Sequence, residues 1–301
     1  TAGMARAGVL GVAVVLGTSA FAGLLYEPSN YAAQENLVLQ LDGIRNAGAL
    51  KPHDNAASAW VDLKSSCTAN ITAISPLPNT KLADGTAGWT SDGYYFDGVT
   101  FAQMSSTLTL GNTYTIQVVC DVDTDKFQSR FTQSSGIVSE GQAQWPCFVG
   151  TTDYNAGDNC NIYYNCGSGQ QNVHAKMANV NLEVYVAKVS WNNHYLTAWA
   201  NGSQASLFDG NAVGTTKTKN LEVGTRTLTF GASRGSTNYG AWRRSLVGTI
   251  KAIRIYDTAL TDAQLATNRE LDEARFFGTV PVHAVIATAV AGLEGNEASG
   301  N

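Results

Sequence analysis

Three aspartates spaced two apart, Asp121, Asp123 and Asp125, are the first residues in this 301-residue chain whose type and spacing suit a chemical task. In an extended segment, side chains two apart share a face, and carboxylates gathered on one face suit Ca2+, a hard cation that takes oxygen ligands. Ca2+ is therefore the candidate cofactor. The helical calcium loop does not fit, because Lys126 stands where that loop needs glycine and Thr132 where it ends on glutamate. A solvated acidic turn is the ordinary alternative. Asp42 and Asp62 pose the same choice between a cation and turn capping, and capping is the expectation for them.

A second chemistry is sugar recognition, which needs flat apolar faces for stacking and amide or carboxylate partners for hydroxyls. Asn238, Tyr239 and Trp242 bring these together in one loop, and Trp191 and Asn193 do so in WNNHY. The competing role for Trp242 and Tyr239 is packing of their own loop. Hydrolytic chemistry finds less support. Glu183 stands alone in its strand, and Glu270, Asp272 and Glu273 fall on a C-terminal helix. No Gly-x-Ser-x-Gly is present. His53, His174, His194 and His283 are scattered without metal-ligand spacing. The sequence reading is therefore of a protein that is not an enzyme.

Composition narrows the setting. Charged residues make up 14% of the chain and the net charge is −5 with no basic block, which argues against nucleic acid. Met4 to Ala22 has the form of a secretory signal: Arg6, an apolar run from Ala7 to Leu16, and a small-residue end. The apolar run is short for a membrane span. Secretion permits disulfides, and three of the five cysteines, Cys147, Cys160 and Cys166, cluster. A local disulfide there, of open connectivity, is expected ahead of a zinc site, since no Cys-x-x-Cys pair exists.

The elements that must position these groups are mostly strands. NLVLQLD (36–42), TYTIQVV (113–119) and RTLTFGA (226–232) alternate or run apolar as strands do. Ser91-Asp92-Gly93 and Asn201-Gly202 are turn signals. Thr249 to Tyr256 reads as a last core strand. Thr261 then caps a short helix, with Gln264 three residues on.

The run Gly248, Ile250, Ile253, Arg254, Ile255, Tyr256, Asp257, Ala259, Leu260 and Thr261 resembles the C-terminal signature of laminin G-like, concanavalin A-like domains of secreted bacterial proteins. The opening around Leu41-Asp42-Gly43 and His53, Trp60 and Leu63 is similar to the start of such domains. The resemblance implies an all-β, two-sheet antiparallel jelly-roll sandwich with a short C-terminal closing helix. It also implies that the 38–41 segment lies near 250–253. The expected organisation is a signal peptide at 1–22, a linker at 23–36, the jelly roll at 37–277, and a tail at 278–301 whose apolar strand begins a following domain, adds to another subunit's sheet or folds back along this domain's own edge. The function so implied is a non-catalytic carbohydrate-binding or adhesion module, secreted or on the cell surface. The alternative is a structural protein-interaction domain of an extracellular assembly. The partner is a carbohydrate or an extracellular protein.

Overall fold

The computed structural model describes residues 27–65, 67–73, 87–122, 224–234 and 242–278. It also describes the strand backbones at 135–140, 147–152, 160–163, 175–177, 181–190, 193–200 and 203–204. Among the described residues the strands in chain order are β1 (Leu37–Asp42), β2 (Ala59–Val61), β3 (Thr68–Ala73), β4 (Gly88–Trp89), β5 (Tyr94–Asp97), β6 (Thr100–Met104), β7 (Leu108–Leu110), β8 (Tyr114–Val122), β9 (Ser135–Glu140) and β10 (Cys147–Thr152). They continue with β11 (Cys160–Tyr163), β12 (Ala175–Met177), β13 (Asn181–Ser190), β14 (Asn193–Ala200), β15 (Ser203–Gln204), β16 (Gly224–Arg226), β17 (Leu228–Phe230), β18 (Ala232–Arg234), β19 (Trp242–Ser245) and β20 (Val247–Tyr256). One helix, α1 (Asp262–Phe276), follows.

Two strands organise the unit formed by residues 35–261. β8 and β20 lie side by side, Ile116 opposite Ile255 and Val118 opposite Ile253. In β8, Tyr114, Ile116, Val118, Cys120 and Val122 belong to the hydrophobic core, so Thr115, Gln117, Val119 and Asp121 take the other face. Each fully buried aliphatic side chain there contributes about 1.5–3 kcal/mol. On that other face Arg254, wholly buried, donates from Nε to Gln117 Oε1 at 2.9 Å. The first strand pairs with the last, Leu41 opposite Ile253 and Leu39 opposite Ile255, as the sequence leads one to expect.

β20 carries a bulge. Ile250 faces Cys120 and Ala252 faces Val119, which leaves Lys251 as the extra residue. The half of β20 before the bulge pairs with β5, and the half after it pairs with β1.

The expected two-sheet sandwich needs correction. The strands divide among four sheets: two of eight strands and two of two strands, β7 with β16 and β18 with β19. The physical reason is visible at Gly231. RTLTFGA reads as a single strand, but Gly231 adopts φ 78°, a left-handed conformation that suits glycine. Gly231 parts β17 from β18, β16 having already ended at Arg226, and the three strands lie in three different sheets. A side chain at 231 is also excluded by contact, since its Cβ would stand 2.4 Å from the Phe96 ring.

The second unit comprises residues 1–34 and 262–301. Within it, Leu265, Leu271 and Phe276 are the buried apolar residues of α1. Tyr31 donates its hydroxyl to Asp272 Oδ1 at 2.6 Å and accepts from Arg275 Nη1 at 3.0 Å. The Ala32 amide donates to Asn268 Oδ1 at 2.7 Å. The expected signal segment, and the tail beyond Gly278, lie outside the described residues. No helix among the described residues is long and apolar enough to cross a membrane.

Candidate functional site

The loop between β1 and β2 folds against the β4–β5 hairpin, and the contact begins with glycine. The Gly43 amide donates to the carbonyl of Lys251 at 2.8 Å, so the loop starts on the bulge of β20. Asn46 then holds the loop's far side, donating from Nδ2 to the Asp54 carbonyl at 2.7 Å and accepting from the Asp54 amide at 2.9 Å. That arrangement carries His53 back over Gly43. His53 Nδ1 lies 2.8 Å from the Gly43 carbonyl oxygen and Nε2 lies 3.0 Å from Asn55 Oδ1.

Trp89 is the centre of the corner. Its ring meets His53 edge-on at 6.0 Å, Trp60 at 5.4 Å and Tyr94 at 5.0 Å. Its indole N–H donates to the Ala57 carbonyl at 2.7 Å. Trp60 is fully buried and donates to the Asp42 carbonyl at 3.0 Å, whereas Trp89 and His53 are half-buried and Asn55 is exposed. Asp92, in the hairpin turn, pairs with Lys251 Nζ at 2.9 Å and accepts from the Thr90 hydroxyl at 3.0 Å. Burial, with a further push from the Asp97 carboxylate, raises the Tyr94 phenol above its ordinary range despite a hydrogen bond with Thr100. Chemically the corner offers an aromatic edge, an imidazole, an amide and a half-exposed carboxylate.

Of the candidate site residues singled out in the sequence, the structure describes Asp121, Trp242 and Asn193. Asp121 is half-buried in β8, opposite Asn181 and Thr249, while Asp123 and Asp125 lie outside the described residues. Trp242 opens β19 opposite Arg234, and Asn193 opens β14 opposite Ser190. Those two therefore sit in different sheets. Asn238, Tyr239 and Trp191 lie outside the described residues. No group of three or more His, Cys, Asp or Glu placed to hold a metal occurs among the described residues. Asp62 caps a turn as expected, accepting at Oδ1 from the amides of Gln40 (2.8 Å) and Lys64 (3.1 Å). Of the corner's polar groups, His53 stood in the sequence as one of four scattered histidines, and Asn55 carried no signal at all.

No family model matches the chain, and no curated protein matches it. Solved structures do. A Trypanosoma rangeli sialidase in complex with sialic acid matches with a TM-score of 0.49 at 14% identity, over 89% of this chain and 40% of that one. Domain 4 of AbnA, an extracellular GH43 arabinanase from Geobacillus stearothermophilus in complex with arabinotriose, matches with 0.42 at 11%, over 78% and 97%. An arabinofuranosidase complexed with arabinofuranosyl-alpha-1,2-xylobiose matches with 0.47 at 11%, over 72% and 51%. This chain spans about two fifths of the sialidase it matches.

At those scores the likeness transfers no activity. The matched proteins are nevertheless named as glycoside-cleaving enzymes, not as laminin G-like or concanavalin A-like lectins. The laminin G-like identification is therefore withdrawn. With it go the non-catalytic carbohydrate-binding or adhesion module, the structural interaction domain offered as its alternative, and the expectation that the chain is not an enzyme.

Proposed function

We propose that this chain belongs to a glycoside-processing protein that works outside the cell, and that the Trp89 corner holds its saccharide. The observation that carries the reading is the half-exposed Trp89 ring beside His53 and the exposed amide of Asn55. A pyranose or furanose presents C–H groups on one face and hydroxyls at its rim. An indole takes the first, and an amide with a carboxylate takes the second. Asp92 supplies that carboxylate, and its pairing with Lys251 holds it in one place. The targeting pattern at residues 4–22 supports a secreted or cell-surface setting.

Glycoside hydrolysis uses two carboxylates flanking the scissile bond. The reading assigns the corner the binding step. The test is to incubate the purified chain with arabinotriose, sialic acid and a panel of polysaccharides, following both binding and release of reducing ends. Binding that Trp89→Phe weakens several-fold supports the reading. A folded protein that neither binds nor cleaves any of them sinks it.

A further inference from the structure

Asn70-Ile71-Thr72 is an Asn-x-Thr tripeptide without proline at its middle position, and all of it lies in β3. A strand sends successive side chains to opposite faces. Ala69 is wholly buried in the hydrophobic core and Ile71 packs against that core, while Asn70 and Thr72 are exposed. The amide and the hydroxyl of the tripeptide therefore share the solvent face of the sheet, and the residue between them holds the strand down. Across the sheet, Asn70 stands opposite Ala59 of β2 and Gln103 of β6. Ala59 is small, and Gln103 is drawn toward the next strand by donating from Nε2 to Thr229 Oγ1 at 3.2 Å.

We propose that Asn70 is an N-glycosylation site, modified as the chain passes through a secretory compartment. The co-reactant is an oligosaccharide carried on a lipid diphosphate. The Asn70 side-chain nitrogen bonds to the anomeric carbon of its first sugar, and the bond from that carbon to the diphosphate oxygen breaks. The lipid diphosphate leaves, and the amide nitrogen gives up one proton to a base of the transferase. The Thr72 hydroxyl marks the acceptor for that transferase. The proposal shares with the function above only the extracellular setting, which the targeting pattern at residues 4–22 supports, and it is independent of the Trp89 corner.

The fold matters because a glycan is bulky and hydrophilic and must stay in water once the chain has folded. An acceptor on the core face of β3 would bury it. Asn70 is on the opposite face, so the glycan stands over the outer side of β3 and leaves the packing of Ala69 and Ile71 intact. For the same reason, replacing Asn70 or Thr72 removes no core contact, and the variants keep the fold. A second tripeptide, Asn201-Gly202-Ser203, has its asparagine outside the described residues.

The experiment expresses the full chain in a eukaryotic cell that N-glycosylates its secreted proteins. The intact mass of the secreted chain and its peptide map are read before and after peptide N-glycanase, which removes the glycan and converts the glycosylated asparagine to aspartate. The expected result is a glycopeptide containing Asn70, a fall in intact mass on enzyme treatment, and the conversion at position 70. Asn70→Gln and Thr72→Ala should each abolish that glycopeptide, whereas Thr72→Ser, which keeps the hydroxyl, should retain it. Thermal melts of the variants after glycan removal should coincide with that of the wild type. A secreted wild-type chain whose Asn70 peptide carries no glycan overturns the proposal, as does a glycan found at Asn201 alone. A chain that stays inside the cell unmodified overturns it as well, because the site depends on the secretory route. A glycan at Asn70 on a chain that binds no arabinotriose or sialic acid removes the saccharide assignment and leaves the modification site standing.

Discussion

Gly43 and Asp92 meet backbone to backbone: a Cβ added at Gly43 would stand 2.2 Å from the Asp92 carbonyl oxygen. Gly93 repeats the arrangement one layer on, its added Cβ falling 2.5 Å from the carbonyl oxygen of Ile250. Three segments distant in sequence are thus locked together by the absence of two side chains. Gly43→Ala should therefore destabilise the fold by about 2–4 kcal/mol, the range for core overpacking and displaced backbone. Urea denaturation followed by tryptophan fluorescence reads it. Gly88→Ala is the control: its added Cβ meets nothing within 4 Å, and the midpoint should barely move.

Gly231 gives a second test with a rescue. Alanine there faces both φ 78° and the Phe96 ring. The single substitution should be strongly destabilising. The double variant with Phe96→Ala should lose less than the sum of the two single variants, because removing the ring atoms relieves the contact and leaves only the backbone strain. Thermal melts of the two single variants and the double variant give the coupling, and strict additivity contradicts the contact.

These two glycines also mark where the sequence stops being legible. The strand character of β1 and β8 and the turn at Ser91-Asp92-Gly93 could be read, because each rests on local alternation or turn chemistry, whereas the pairing of β1 with β20 was expected only from the resemblance. The parting of β17 from β18 at Gly231 could not be read, since the Phe96 ring that lies against this glycine is more than a hundred residues away in the chain. The Lys251 bulge was hidden for the same reason: a single extra residue in an apolar run leaves the pattern unchanged. At the site, His53 and Trp60 both stood in the opening segment that carries the resemblance, but the contacts of His53 with Gly43 and Trp89 could not be read, because only the fold brings them together.

Cys67 should be more reactive toward alkylation than Cys120, which is buried in β8. Hydrogen bonds with Ser106, and to a lesser degree Ser65, hold its thiol below the ordinary range, outweighing desolvation and the nearby Asp62 carboxylate. A lowered thiol pKa means more thiolate at neutral pH, and the thiolate is the nucleophile. Iodoacetamide should label Cys67 ahead of the buried Cys120, with mass spectrometry as the readout. Ser106→Ala should shift the labelling profile of Cys67 to higher pH. The sign follows from the hydrogen bond favouring the charged form.

Tyr31 joins Asp272 and Arg275 through its hydroxyl, within the unit that contains α1. Tyr31→Phe keeps the ring and removes both hydrogen bonds. The expected cost is about 1–3 kcal/mol, because the partners are charged and Asp272 is buried. Asn268→Ala, which takes the acceptor from the Ala32 amide, should cost about 1 kcal/mol. Faster amide exchange at Ala32 in that variant would register the loss locally.

The assignment of saccharide binding to the Trp89 corner is tested most directly by mapping a bound sugar. The 15N spectrum of the full chain is recorded as arabinotriose or sialic acid is added. Shifts should concentrate at the Trp89 indole N–H, His53, Asn55 and Asp92. A bound sugar that leaves those signals in place and moves Trp242 or Asn193 instead would contradict it.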